Sequence, residues 1–140
     1  MRVYDLDRFV KAQKYDYETA LQEIRAGRKR SHWIWYIFPQ IAGLGRSSTA
    51  KYYAIQNLEE AKAYMQVDSL REHLLEISGA LLELEANDPL RVMGSPDDLK
   101  LHSSMTLFAI AAPEYDVFRK VLDKFYGGRM DQNTLRILKV

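Results

Sequence analysis

The segment at residues 43–51, GLGRSSTAK, combines residue types that can bind an anion. Glycines let the backbone approach a ligand closely, and a helix that begins just after them points free N–H groups outward. A guanidinium group can form two parallel hydrogen bonds to a phosphate or carboxylate, and hydroxyl and ammonium groups add further donors. The residues assigned to this anion site are Gly43, Gly45, Arg46, Ser47, Ser48 and Lys51. An ordinary glycine turn followed by a serine cap is the alternative.

Neither of the common nucleotide-binding motifs is present in this segment. It lacks the Gly-Lys-Ser/Thr ending of a Walker motif, and Ser48 stands where GxGxxG would have its last glycine. The sequence therefore predicts no cofactor. A small anionic metabolite is the predicted ligand.

Four aromatic residues precede this segment: Trp33, Trp35, Tyr36 and Phe38. Such rings can stack on a ligand or fill the core, and both interpretations are kept for the block. Trp33 and Tyr36 are assigned to the predicted binding site. The amide of Gln40 is assigned to it as well, because an amide can hydrogen-bond the edge of a ligand. His32 is a weak candidate for a general base, since imidazole titrates near neutral pH.

A second polar segment, DDLKLHSSMT at residues 97–106, supplies the other weak catalytic candidates. On a helix, Lys100 and Ser104 lie on one face because they are four residues apart. Hydroxyl side chains compete with the helix backbone for hydrogen bonds, so a cluster of them can indicate a site. The alternative is that they bond to carbonyls one turn earlier, while Asp97 forms a surface ion pair with Lys100.

The composition excludes several classes of chemistry. The chain has no cysteine and only three histidines, so thiolate chemistry is excluded and no metal site is predicted. The formal net charge of +1 disfavours nucleic acid as a partner. No apolar run approaches the ~20 residues of a membrane span, and the first nine residues lack the apolar stretch of a secretory signal. We therefore expect a cytoplasmic protein that does not enter a membrane.

The apolar and capping patterns predict an all-α fold. The chain has 140 residues, of which 47% are hydrophobic, so we expect one compact domain over residues 1–140 with about seven or eight short helices. Leu6 and Phe9 predict a short first helix, and a second is expected over 15–26 with Gly27 as its stop. The aromatic block is predicted to be a short helix, although its alternation also fits a strand.

Each later helix is predicted from a residue that can cap its first turn. Asn57 with Glu60 and Ser69 with Glu72 form capping-box patterns, and Ser95-Pro96 gives a cap followed by a proline at the first helical position. The expected ranges are 47–55, 57–65, 69–85, 89–93, 96–111 and 114–126, with a last short helix after Asp131.

Several long segments of the chain are similar to one known family. They are SHWIWYIFPQIAGLGRSSTAKYYAI, LEEAKAYM and SPDDLKLHSSMTLFA, together with the opening YDLDRFVKAQ and the ending VLDKFYGGRMDQNTL. These segments resemble the bacterial family called domain of unknown function 1810. The resemblance implies a compact all-helical domain and no established activity. A calpastatin-like label given to some members does not suit this chain, because calpastatin is disordered and this chain is rich in apolar residues.

Three functions are compatible with the sequence. The leading hypothesis is a pocket that binds an anionic or nucleotide-like metabolite, with or without catalysis. The second is a non-catalytic interaction module that binds protein or RNA through Arg25, Arg28, Lys29 and Arg30. The third is a purely structural domain that forms dimers, although the sequence does not specify an oligomeric state.

Overall fold

The computed structural model describes residues 4–140, so the first three residues of the predicted domain and of the N-terminal stretch lie outside it. Within this range the chain forms nine α-helices and no β-strand, which confirms the predicted all-α fold. The helices are α1 (Asp7–Arg25), α2 (Ile34–Ile37), α3 (Ser48–Tyr53), α4 (Leu58–Tyr64), α5 (Asp68–Glu83), α6 (Pro89–Met93), α7 (Asp97–Ala111), α8 (Val117–Tyr126) and α9 (Gln132–Leu138).

Helix α7 lies at the centre of the bundle. Its residues 103–109 are all buried, and it packs against α4, α6, α8 and α9. A helix that is buried on every side must be surrounded by other elements, which is why this segment has apolar or small residues on all its faces. Helices α1 and α5 pack together and α8 packs on α5, so the core is continuous across the molecule.

The two helices predicted at the N-terminus are one helix, so that prediction is wrong. Helix α1 continues through residues 11–14, which lie between the two predicted helices. Gln13 is buried there, where its Nε2 donates to the backbone oxygen of Tyr36 and to the hydroxyl of Tyr64, both at 2.8 Å. These partners come from distant segments, and they allow a polar side chain to face the core.

Ser47, Asn57 and Asp131 cap their helices as the sequence predicts, and Ser69 and Ser95 do not. The side chains of Ser47, Asn57, Asp88 and Asp131 accept hydrogen bonds from the first turns of α3, α4, α6 and α9. Ser69 does not cap α5, which begins one residue earlier at Asp68. Asp68 pairs with Arg71 at 2.9 Å and places a negative charge in the first turn, where the helix dipole favours it. Ser95 is not a cap either, since Pro96 occupies the N-cap position of α7.

Over residues 4–140, no helix combines the length and the apolar character that crossing a bilayer requires.

Candidate functional site

A cavity of about 410 Å³ lies between the loop at residues 40–56 and the start of α7. Its volume falls within the range of about 300–1,000 Å³ that is typical of small-molecule sites. The candidate residues that line it are Gln40, Gly43, Gly45, Arg46, Ser47, Lys51 and Lys100. The fold therefore brings most of the contiguous loop candidates together with a lysine from the central helix.

Two backbone hydrogen bonds close the base of this loop. The amide of Ile55 donates to the oxygen of Gln40, and the amide of Ala42 donates to the oxygen of Ile55, both at 2.8 Å. They pair Ile41 with Ile55 in an isolated parallel bridge, and both of these side chains are buried. The loop is therefore anchored to the core at its base, while residues 43–51 extend outward.

Glycine is required at position 45 because the loop passes very close to α3. A β-carbon placed on Gly45 would lie 2.4 Å from the β-carbon of Ala50, far closer than atoms can approach. Gly43 has a φ of +104°, a conformation that other residues rarely adopt, and it lies against Ile137 of α9. The two glycines thus fix the path of the segment that carries Arg46.

A buried ion pair holds the backbone of the cavity-lining residues Ala54 and Gln56. Arg8 lies 3.1 Å from the Oε2 of Glu60, and the exposed fractions of the two side chains are 6% and 1%. Arg8 also donates to the backbone oxygens of Tyr52 at 2.9 Å and Ala54 at 2.8 Å, while Glu60 accepts from the amide of Gln56 at 2.7 Å. The sequence predicts no such pair, and the capping-box position of Glu60 is the one signal that it offers.

Three cationic side chains line the cavity and no carboxylate does, among the residues that the structure describes. They are Arg46, Lys51 and Lys100. The Lys100 ammonium lies 5.1 Å from the centre of the Trp35 ring, which also lines the cavity. Asp97 is near Lys100 but sits 3.8 Å from it and makes a closer contact, at 2.7 Å, to Lys29. This charge distribution favours an anionic ligand.

The aromatic block divides between core and cavity. Trp33 is buried, and its Nε1 donates to Glu23 at 2.9 Å. Tyr36 is buried too, and its hydroxyl donates to Asp16; burial and this hydrogen bond raise the pKa of Tyr36. Neither residue lines the cavity, whereas Trp35, which sequence analysis had not assigned to the site, does.

The other site candidates also lie away from the cavity lining. Ser48 and His32 are exposed, and Ser104 is fully buried with no hydrogen-bond partner for its hydroxyl among residues 4–140. Only one of the three weak catalytic candidates, Lys100, therefore lines the cavity.

The remaining hydroxyl residues of α7 have structural partners. Ser103 and Thr106 donate to the backbone oxygens one turn earlier, at 3.1 Å and 2.9 Å. Ser103 shares its single hydroxyl proton between that backbone oxygen and the Asp131 carboxylate, which lies 3.0 Å away, and Thr106 accepts from the Asp131 amide at 2.8 Å. These bonds fasten the start of α9 to α7. The alternative interpretation of this cluster, in which the hydroxyls bond to backbone oxygens one helical turn earlier, therefore holds for Ser103 and Thr106.

The basic segment at residues 28–31 is held in place by Glu23. Its Oε1 accepts hydrogen bonds from the amides of Arg30 at 2.8 Å and Ser31 at 2.9 Å, in addition to the Trp33 indole. Burial alone would raise the pKa of Glu23, but a hydrogen bond from the Ser31 hydroxyl, together with these three, outweighs it and lowers the pKa to about 2. Arg28, Arg30 and Arg91 line a second cleft, of about 620 Å³, beside this segment.

No group of three or more His, Asp or Glu side chains in the described part of the chain is arranged to hold a metal ion. The fold and the site thus define an all-helical protein with a cation-lined cavity of small-molecule size.

Comparison with known proteins places the chain in a family. A family model described as a protein of unknown function, DUF1810, matches residues 3–138, so the chain belongs to this family. The crystal structure of the conserved hypothetical protein Rv1873 from Mycobacterium tuberculosis has a TM-score of 0.95 and 47% identity to this chain, covering 98% of both chains. A search of the curated proteins found no match. The resemblance inferred from the sequence is confirmed, and it carries no activity with it.

Proposed function

We propose that the protein binds a small anionic metabolite of nucleotide-like shape in the cavity between the 40–56 loop and α7. The observation that carries this proposal is the convergence of Arg46, Lys51 and Lys100 on one cavity whose lining has no carboxylate among the described residues. Like charges placed close together repel each other, so an anion that joins them is favoured. Arginine in particular suits phosphate and carboxylate groups because it can form two parallel hydrogen bonds to them.

The rest of the lining supports a ligand with a flat or apolar part. Trp35 and Tyr53 offer aromatic surface, and Ile41 adds an apolar wall. Gln40 and Gln56 place amide groups in the same cavity, and such groups can fix the orientation of a heterocyclic edge. A phosphate joined to a base or to a sugar has both of these chemical parts.

The arrangement supports binding more strongly than acid–base catalysis. A general base must lie within hydrogen-bonding reach of its substrate, and His32 lies outside the cavity. Lys100 can stabilise negative charge on a bound ligand, as can Arg46 and Lys51. If the protein is an enzyme, this electrostatic stabilisation is the chemistry that its cavity offers.

A thermal-shift screen followed by calorimetry tests the proposal. The panel consists of adenosine monophosphate, nicotinamide dinucleotides, sugar phosphates and citrate. A ligand at 100 times its Kd adds about 2.7 kcal/mol to the free energy of unfolding, a shift that is easily measured. We expect Arg46→Ala and Lys100→Ala to weaken binding at least about tenfold while leaving the Tm nearly unchanged, because removing a hydrogen bond to a charged group costs about 1.5–3 kcal/mol.

Lys120→Ala is the control, since Lys120 of α8 is an exposed lysine, paired with Asp116, that does not line the cavity. It should bind the ligand as the unmodified protein does. The proposal is contradicted if no compound of the panel binds, or if the Arg46→Ala and Lys100→Ala variants bind a ligand as tightly as the unmodified protein does.

An interaction module is the second candidate, supported by the cleft that contains Arg28, Arg30 and Arg91. These arginines form no ion pair with any described residue, so their charges are available to an acidic partner. Binding of single-stranded RNA that falls steeply with salt, and that is lost in Arg28→Ala/Arg30→Ala, would favour this function. The absence of RNA binding at low salt would exclude RNA as the partner.

Three further inferences from the sequence stay predictions: a cytoplasmic location, a single domain over residues 1–140 and, as an alternative function, dimer formation. Light scattering over a range of concentrations tests the last of these, because a constant monomer mass excludes a dimer-forming role.

A further inference from the structure

We infer that Lys29 and Asp97 form an ion chain with Lys100 that keeps the Lys100 ammonium available to a ligand with two or more negative charges. In this chain Lys29 is a positioning residue for the cavity, although its own side chain does not line it. The inference rests on the proposed function, since it assumes that an anion binds beside Lys100.

The two contacts of Asp97 are unequal. Its Oδ2 lies 2.7 Å from the ammonium of Lys29, which is the distance of a strong charge-assisted hydrogen bond. Its Oδ1 lies 3.8 Å from the ammonium of Lys100, which is too long for a hydrogen bond. Asp97 therefore pairs mainly with Lys29. The N–H groups of the Lys100 ammonium remain free to donate to another acceptor.

Lys29 is rigidly held on its side of the chain. Its side chain is only 5% exposed, and its ammonium also donates to the backbone oxygen of Ser31. The same ammonium lies 4.8 Å from the centre of the Trp33 ring, and the backbone amide of Lys29 donates to the oxygen of Val92 at 2.7 Å. A buried ammonium with these contacts cannot readily leave its carboxylate, because it would become an unpaired buried charge.

Lys100 is more exposed, with 26% of its side chain accessible, and its ammonium faces the Trp35 ring that lines the cavity. A carboxylate so close to an anion site would normally repel the ligand and attract the lysine. Lys29 cancels this effect by neutralising Asp97. Without Lys29, Asp97 would close onto Lys100 and remove one of the three positive charges of the cavity.

The charge count points to the class of ligand. With Asp97 neutralised, Arg46, Lys51 and Lys100 together present three positive charges to the cavity. A monoanion can use only part of this charge, whereas a phosphomonoester or a diphosphate can contact several cations at once. We therefore use inorganic pyrophosphate as the probe.

Calorimetric titration with pyrophosphate of four proteins tests the ion chain: the unmodified protein, Lys29→Met, Asp97→Asn and Lys29→Met/Asp97→Asn. We expect Lys29→Met to bind about tenfold more weakly, because Lys100 is partly withdrawn by Asp97. Asp97→Asn should bind no more weakly than the unmodified protein, since Lys100 then has no competing carboxylate. The double variant should match Asp97→Asn, because Lys29 has no carboxylate left to neutralise.

A purely structural role of Lys29 predicts a different pattern, in which the double variant is as weak as Lys29→Met. That result, or unchanged binding by Lys29→Met, overturns the inference. The double variant leaves no unpaired charge buried, so its comparison with the unmodified protein remains decisive if Lys29→Met does not fold: the ion chain predicts binding no weaker than that of the unmodified protein, and a purely structural role of Lys29 predicts weaker binding. Lys120→Met is the control for loss of a lysine from an ion pair away from the cavity.

A crystal structure of Lys29→Met separates this inference from the proposed function, because it requires no ligand. The distance from the Lys100 ammonium to the Asp97 carboxylate should contract from 3.8 Å to about 2.8 Å. An unchanged distance overturns the ion chain even if pyrophosphate binds. Conversely, a contracted distance in a protein that binds no pyrophosphate would support the chain and count against a diphosphate ligand.

Discussion

Replacing Gly45 by alanine should destabilise the protein through a single steric clash with the side chain of Ala50. A second substitution, Ala50→Gly, removes that clash. The added β-carbon would lie 2.4 Å from the β-carbon of Ala50, and the next nearest atom, the Ala50 α-carbon, is at an ordinary 3.7 Å. The backbone of Gly45 is outside the left-handed region, so space and not conformation is what excludes a side chain. Two methyl groups pack at about 3.5–4.0 Å, so the loop or α3 must move by about 1 Å or more.

The magnitude follows from this geometry. Overpacking of this kind costs about 1–3 kcal/mol in the free energy of unfolding. Ala50→Gly alone should cost about 1 kcal/mol, because glycine is a poor helix former and Ala50 lies within α3. In the double variant Gly45→Ala/Ala50→Gly the clash is absent, so the total cost should be about 1 kcal/mol. Simple addition would instead give about 2–4 kcal/mol.

Urea-induced unfolding followed by circular dichroism measures these values. Gly79→Ala is the matched control: Gly79 is inside α5 and a β-carbon there would meet nothing within 4 Å. It should stabilise the protein by up to about 1 kcal/mol, because alanine is the better helix former. If the double variant loses as much stability as the two single variants added together, the close approach of Gly45 to Ala50 is not what fixes this loop.

Three further predictions concern groups that hold the bundle together. Arg8→Met should cost about 3–5 kcal/mol in urea unfolding because it leaves the carboxylate of Glu60 buried without a positive charge beside it, and a much smaller loss would show that water reaches this pair. Asp131→Ala should cost about 1–2 kcal/mol by removing the α9 cap and its bond to Ser103, and Asp131→Asn should recover part of that loss. Because the pKa of Glu23 is lowered from 4.5 to about 2, its contribution is present above about pH 4.5 and is lost as the pH falls toward 2. In thermal melts, Glu23→Gln should lack this part of the acid dependence, and identical pH profiles would contradict it.

The caps were predictable from the sequence because each one depends on neighbours along the chain. The Ser47 hydroxyl accepts from the amide of Ala50, and the Asn57 side chain accepts from that of Glu60. A cap and the amide it accepts from are two or three residues apart, so no knowledge of the tertiary structure is needed. The continuity of α1 was not predictable in this way, because Gln13 needs partners from α2, α4 and α5 to be buried.

The loop residues of the candidate site could be predicted from the sequence because its glycines and cations lie close together in the segment at residues 43–51. The choice between the two tryptophans was not, since it depends on which side of the single-turn helix α2 faces α1. Trp33 is turned inward, where its indole meets Glu23, and Trp35 is left to face the cavity beside Lys100. Local periodicity cannot decide this orientation in a helix of four residues.

The polar residues that the sequence singled out differ in one physical respect, namely whether their hydrogen-bonding capacity is already used. Ser103 and Thr106 are satisfied by the backbone and by Asp131, so they join helices. Arg46 and Lys51 form no ion pair with any described residue, and they lie beside an open cavity.

The net charge of +1 does not reveal that unpaired cations lie together at the cavity. The charge of the whole chain gives no information about the positions of individual charged side chains. A polar cluster in such a sequence therefore indicates a ligand site only where the fold leaves its charges unpaired at a cavity. In this protein Arg46 and Lys51 of the 40–56 loop lie unpaired at the cavity, and Lys100 of the central helix lines the same cavity, which is why the proposed function places the ligand there.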